Sequence, residues 1–508
     1  MGPRILTADE AARLVPDGAT LALCGCLSML EPDALLRGLE ARFLCEGHPR
    51  DLTVVHPVMV SSGKEAGINR LAHDGCLRRV IGGSFSIFAD YPITALITQG
   101  RVEAFNLPIG TIFQWLRESG AGRPGLFTPV GLHTYVDPRV EAGRANAATR
   151  GALSQVVQAG GQEVLFYPSL RVDVALIRGT SADEQGNISV EHEPASLGIY
   201  TLALAAKHSG GTVIAQVKRR VESGSVHPRL TAVPARLVDA VVVEPTQPQM
   251  AVGERPEIAG ELRALLQPEP VPLSAASAIA RRAMREIRDG QLVNLGYGVP
   301  ALIPALGFAE RLHERVAFSI EHGPVGGLPD GMATFGPSAN PDLLLDSTFV
   351  FDLYDGGLLD VSALGLAQAD RHGNVNVSRF GSMAPGSGGF CNICHRTPRL
   401  LFCGTFTAGG LEVEVGDGRV RIRREGRVKK FVSQVEQITL SGAAALAKGQ
   451  EVLFITERAV LRLTADGPAL LEVAPGIDPA RDILPQMEFP ISVPADLRPM
   501  DPALFREA

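Results

Sequence analysis

The chain has 508 residues, of which 45% are apolar and 20% charged, and its formal net charge is −7. That length exceeds a single hydrophobic core, and at roughly 150 residues per domain it divides into two to four. The acidic balance gives no overall basic field for nucleic acid. Lys218-Arg219-Arg220 and Lys429-Lys430 read as solvated faces, with a hold on an anionic cofactor as the alternative.

The first ten residues hold no apolar core of signal-peptide length, and no apolar run approaches the ~18 residues that span a bilayer. Seven scattered cysteines form no disulfide framework. The expectation is a cytoplasmic protein with neither nucleic-acid nor membrane partners.

In chain order, a helical Ala8–Leu14 leads through Asp17-Gly18 into a strand over Ala19–Leu23 and a glycine loop at Gly25. Leu52–His56 reads as the next strand. Ala182-Asp183-Glu184-Gln185-Gly186-Asn187 reads as a strand end and a tight turn. Helical Tyr200–Ala206 and strands over Val213–Val217 and Val238–Val243 continue the alternation expected of parallel α/β domains. Repeated prolines from Pro245 to Pro272, around a short possible helix, mark a linker.

The second half opens like the first. Helical Ala275–Ile287 leads through Asp289-Gly290 to a strand over Leu292–Leu295 and to Gly296-Tyr297-Gly298. Val316, Phe318 and Ile320 then alternate with smaller residues, and the strand ends on Glu321 ahead of a Gly/Pro-rich loop. The earlier counterpart, Leu52–His56, has valine where this copy has glutamate. Strand carboxyl ends bind ligands in parallel sheets, so Glu321 is placed to act as nucleophile, base or metal ligand. Ala369-Asp370-Arg371-His372-Gly373-Asn374 repeats the Asp183 turn.

Cys391-Asn392-Ile393-Cys394-His395 matches a haem-attachment pattern, but small core cysteines are the better reading. Short strands over Val420–Arg424, Lys430–Val432 and Glu451–Thr456 make the tail β-rich. The fold class is therefore α/β, two tandem and internally related domains with mainly parallel sheets. Residues 1–245 form the first domain, 246–273 the linker, and 274–508 the second domain with its β-rich extension.

Over nearly its whole length the chain resembles the class I coenzyme A-transferases, in the fused-subunit branch that includes acetate, propionate and 3-oxoacid CoA-transferases. In the first half the likeness rests on Phe105-Asn106-Leu107-Pro108, Pro124–Leu132, Thr134–Arg139 and Ile177–Asp183. In the second it rests on the Glu321–Pro329 loop, Gly373–Phe380, Phe402–Gly410 and Ala474–Asp478. The resemblance implies exchange of CoA between an acyl-CoA and a free carboxylic acid, with CoA both substrate and covalent intermediate and no other cofactor bound. It implies Glu321 as the nucleophile that becomes a glutamyl-CoA thioester, and the backbone N–H of Gly389 as an oxyanion donor. Gly25, Ile109, Gly296, Gly298 and Gly388 are expected to wall the substrate pocket, and the protein to be a homo-oligomer, dimer or tetramer. The first half would correspond to the alpha subunit and the second, with the nucleophile, to the beta subunit.

Two positions depart from the family pattern. Ile109 stands where relatives carry a glutamine oxyanion donor, whose loss typically costs ~10²–10³ in rate. Leu358 in Asp355-Gly356-Gly357-Leu358 stands where relatives show a third glycine, a costly exchange if that backbone were left-handed. Three readings follow: an active transferase, an acyl-CoA hydrolase using the same glutamate, or a catalytically altered CoA-binding relative. A dinucleotide fold is disfavoured because Gly296-Tyr297-Gly298 lacks the third glycine of that fingerprint.

Overall fold

The structure, a computed structural model, describes residues 2–86 and 88–507. Its first helix, Ala8–Ala12, starts on a reciprocal cap in which Thr7 accepts from the Glu10 N–H and Glu10 accepts from Thr7. It stops short of the expected Leu14 because Pro16 disfavours helical backbone just before it. Ala275–Met284 begins on the equivalent Ser274 cap and ends before Ile287.

The first large sheet is parallel along its main path. From Thr20–Leu23 the chain adds Leu52–His56, Leu77–Gly82 and Glu103–Asn106 on one side. It then adds Val174–Asp183, Thr212–Val221 and Ala240–Val243 on the other. Strand order reverses at Thr20–Leu23, so the loops on either side diverge and open a crevice at its carboxyl end.

The second large sheet repeats this plan around Leu292–Leu295. Ala317–Ser319 pairs on one side, and Val361–Gly365, Arg399–Cys403 and Glu451–Ile455 follow on the other, all parallel. Ala459–Thr464 and Gly467–Val473 extend it antiparallel. The β-rich tail is present, and part of it builds this sheet, while Glu412–Gly416 and Arg419–Arg424 form a separate hairpin.

The internal repeat is turn chemistry. Asp183 Oδ1 accepts from the N–H groups of Gln185, Gly186 and Asn187, and Asp370 Oδ1 accepts from those of His372 and Asn374. Gly186 and Gly373 supply the left-handed residue, at φ of 100° and 72°.

One helix joins the halves. Ile109–Gly120 is buried at eleven positions, and a helix covered on all sides must have partners on all sides. It packs on Ile199–His208 of the first half and on Ser347–Asp355 of the second, where the Phe113 and Phe351 ring centroids are 6.2 Å apart. A single hydrophobic core runs from Ala22 through Ile109 and Phe351 to Phe402. Asp346 Oδ2 further accepts from Ser196 Oγ at 2.7 Å and from the Gly198 N–H at 2.8 Å.

Residues 246–273 contain no helix or strand, so the short helix expected there is absent. They are also more than a connector. The Ala251 N–H donates to Ser28 Oγ at 2.8 Å, pinning Met250–Val252 against the loop after Thr20–Leu23. No helix among the described residues is long and apolar enough to cross a membrane.

Candidate active site

Strand Ala317–Ser319 is buried on both faces, since Ser319 is as inaccessible as Phe318. The polar face is satisfied from below: Ser319 Oγ lies 2.7 Å from the Tyr354 hydroxyl, and Asn294 Nδ2 donates to the Ser319 carbonyl at 3.1 Å. The strand ends at Ser319, two residues before the expected Glu321. The chain then turns back at once, with Gly323 N–H to Ile320 O at 3.0 Å and Ile320 N–H to Pro324 O at 3.1 Å. Glu321 occupies the tip of that turn.

From there the Glu321 side chain enters a cavity of about 620 Å³ between the halves. Its side chain retains 16% exposure, directed into the cavity. Burial pushes its carboxyl up to about 7, while the neighbouring Gly389 backbone N–H pulls the other way. A Cβ at Gly389 would overlap Glu321 Oε2 and lie 3.0 Å from Cδ, so only glycine leaves room for this carboxylate. Gly389, just before helix Phe390–Arg396, thus brings its backbone against the Glu321 carboxylate.

The first half holds that donor loop in place. Ile109 N–H donates to the Gly388 carbonyl at 3.1 Å, and Gly388 N–H donates to the Gly83 carbonyl at 2.9 Å. Asn106 Oδ1 accepts from the Ser387 N–H at 3.0 Å and from the Tyr135 hydroxyl, whose oxygen lies 2.9 Å from Ser387 Oγ. Asn106 Nδ2 donates to the carbonyls of Gly82 and Gly83 at 2.9 and 2.8 Å.

A second contact crosses the halves beside Glu321. Cys26 Sγ lies 3.1 Å from His322 Nε2, which is 3.9 Å from Glu321 Oε1. Burial pushes His322 down to about 4 and the Cys26 thiol well up, so both are neutral at pH 7 and the His322–Glu321 approach is not an ion pair.

Of the expected wall residues, Ile109, Gly296 and Gly388 line the cavity beside Glu321 and Gly389. Gly25 and Gly298 do not. Gly25 turns the chain at a φ of 122°, which sends Cys26, Leu27 and Ser28 to the wall instead. Gly298 turns it at 99°, after Tyr297 has taken the lining position. Leu358 does not adopt a left-handed backbone. Gly357 does so, at a φ of 84°, and Leu358 is exposed.

The cysteine cluster is buried on helix Phe390–Arg396, with burial pushing Cys391 up to about 12. Among the described residues no group of three or more His, Cys, Asp or Glu side chains is arranged to hold a metal ion. Asn106, Tyr135 and Ser387 are the supporting residues that sequence reasoning passed over. For Asn106 the signal was a polar side chain at the end of a strand otherwise committed to the core, whereas Tyr135 and Ser387 lie in a turn and a loop.

The geometry suits acyl transfer: a desolvated carboxylate, a fixed backbone donor and a cavity open to a long substrate. Comparison with known proteins agrees. Residues 5–244 match the family model described as Coenzyme A transferase. The caffeate CoA-transferase of Acetobacterium woodii is 40% identical over 515 residues, covering 99% of this chain and 98% of that protein. The acetate CoA-transferase YdiF of Escherichia coli O157:H7 is 36% identical over 508 residues, covering 99% of this chain and 95% of its own. The crystal structure of its apoenzyme superposes with a TM-score of 0.94 across 100% of this chain and 97% of that one. Its thioester complex with CoA gives 0.93 across 99% and 96%. The likeness expected from the motifs therefore holds end to end, and this chain belongs to the coenzyme A-transferase family, as an enzyme of that type.

Proposed function

We propose that this enzyme moves CoA from an acyl-CoA to a free carboxylic acid in a ping-pong exchange through Glu321. A Glu321 carboxylate oxygen attacks the thioester carbonyl carbon. The carbon–sulfur bond breaks, CoA leaves as thiolate, and an acyl–glutamyl anhydride remains. The thiolate then attacks Cδ of Glu321, the first acid departs as carboxylate, and a glutamyl-CoA thioester is left. An incoming carboxylate reverses these steps and restores Glu321. CoA is the only carrier these steps require.

The observation that carries this reading is the Glu321 carboxylate packed inside the cavity against the Gly389 backbone, so close that a Cβ there would overlap Oε2. The Gly389 N–H is positioned to receive negative charge as it develops on an oxygen bonded to the reacting carbon. Ile109 supplies no side-chain donor, but its backbone N–H positions the loop that does. Its apolar side chain also lines the cavity, where excluding water protects an anhydride from hydrolysis.

In this reading residues 1–245 and 274–508 are two domains, and residues 246–273 join them while contributing Met250–Val252 to the pocket wall. Assembly as a dimer or tetramer rests on family likeness alone and is read by sedimentation velocity.

The test is incubation with acetyl-CoA followed by mass analysis of the Glu321 peptide. A CoA adduct, discharged only when a carboxylic acid is added, supports transfer. Discharge by water at the same rate identifies a hydrolase, and an unmodified peptide under trapping conditions removes the Glu321 route.

A further inference from the structure

From the cavity wall we infer that the preferred acid is an aromatic monocarboxylic acid. The inference rests on the CoA-transfer reading for its chemistry, and on the composition of the wall for its substrate class.

Aromatic residues make up 5% of the chain, yet Phe88, Tyr91, Tyr297, Phe335 and Phe390 all line this one cavity. They come from both halves. The Phe88 and Tyr91 rings stack at 4.9 Å, and Tyr297 meets Phe335 edge-on at 5.6 Å. Aromatic pairs of this kind offer ring edges and faces to a further ring.

Three of the chain's nine methionines, Met59, Met250 and Met332, also face the cavity. Methionine adapts to irregular apolar shapes and makes favourable sulfur contacts with ring edges.

The aromatic wall reaches the reacting group. His322, adjacent to Glu321, packs edge-on against Phe335 at 6.0 Å. In CoA the pantetheine arm separates adenine from sulfur, so Phe335, packed on His322 beside Glu321, lies by the thioester end of the substrate rather than by the nucleotide.

Charge narrows the class. Among the described residues no lysine or arginine lines the cavity. Arg178, a buried cation of the first half, faces Glu193 and donates to the carbonyls of Glu31 and Pro248. Burial keeps His322 neutral, as shown above. A second carboxylate on the acid would enter this wall without a partner, and burying an unpaired charge is costly.

Equilibrium binding to Glu321→Gln protein reads the inference without turnover. Titration calorimetry should show phenylpropanoyl-CoA binding at least about tenfold tighter than acetyl-CoA, the scale of burying one aromatic ring. Succinyl-CoA should bind no tighter than acetyl-CoA. Phe335→Ala in the same background should shrink the phenylpropanoyl-to-acetyl ratio several-fold, and Tyr297→Ala should shrink it independently. Equal affinity for phenylpropanoyl-CoA and acetyl-CoA, or tightest binding of succinyl-CoA, overturns the inference. Failure of the transfer reading shows elsewhere, as an unmodified Glu321 in the wild-type protein.

Discussion

The backbone N–H of Ile109 donates to the carbonyl oxygen of Gly388 at 3.1 Å, so the first half of the chain sets the loop that faces the second half's glutamate. Neither half has a complete site alone. Asn106 is the hub of this arrangement, since its amide bridges the carbonyls of Gly82 and Gly83 to the N–H of Ser387. Asn106→Ala should leave the Ser387 N–H short of an acceptor and cost about 1–3 kcal/mol of stability. Displacing the loop should also slow thioester formation on Glu321 by about 10–100-fold, because small misplacements of a donor are expensive. Denaturant melts and timed mass analysis read the two effects separately. An unchanged rate would show that the loop holds its place without Asn106.

Gly389→Ala tests space rather than conformation. Gly389 has an ordinary φ of −81°, so alanine meets no backbone strain. Its methyl group would instead overlap the Glu321 carboxylate and approach Phe351 Cε1 at 2.9 Å. The carboxylate must move away from the N–H, and loss of one such donor typically costs ~10²–10³ in rate. Circular dichroism should show retained structure while acyl-CoA turnover falls by that order. Turnover within about threefold of wild type would place the donor elsewhere.

Much of this was legible in the sequence, for reasons that differ by element. The Asp183 and Asp370 turns were readable because Asx side chains bond their own backbone locally. Glu321 stood out because a charged group ended an apolar strand. The Ile109–Gly388 bond was not readable, since it joins backbone atoms far apart in sequence and depends on no particular side chain. Nor could sequence show that Met250–Val252 line the cavity, because proline-rich chain carries no periodicity to locate it. Gly25 and Gly298 misled for a related reason. A glycine marks where the chain turns sharply, and the residues beside it are the ones the turn delivers to the wall.

Stability should fall as pH rises from about 4.5 to about 7. Burial raises Glu321 and Asp355 to about 7 each. Below the ordinary carboxyl range both folded and unfolded chains hold these protons. Above it the unfolded chain releases them first while the folded chain retains them, so unfolding becomes progressively easier until the folded groups also ionise. Each raised carboxyl accounts for on the order of 3 kcal/mol across that window. Glu321→Gln removes one of them and leaves an amide where the acid stood. Urea melts at about pH 5 and about pH 8 should show a smaller loss of stability in the variant than in wild type. Equal losses would mean that Glu321 ionises without penalty in the folded protein.

The same raised value shapes the rate of the first chemical step. In the proposed transfer only the carboxylate form of Glu321 attacks a thioester, and burial holds half of the population protonated near pH 7. Thioester formation should therefore rise about tenfold per pH unit below that point and level off above it. His322 does not add a second transition there, because burial has moved its titration down to about 4. Cys26 is pushed well up and stays protonated throughout. Rapid-quench measurement of the Glu321 adduct should then fit one ionisation near 7, with the variant Cys26→Ser following the same midpoint. A flat profile from about pH 5 to about pH 8 would instead make a step other than carboxylate attack limit the formation of the adduct.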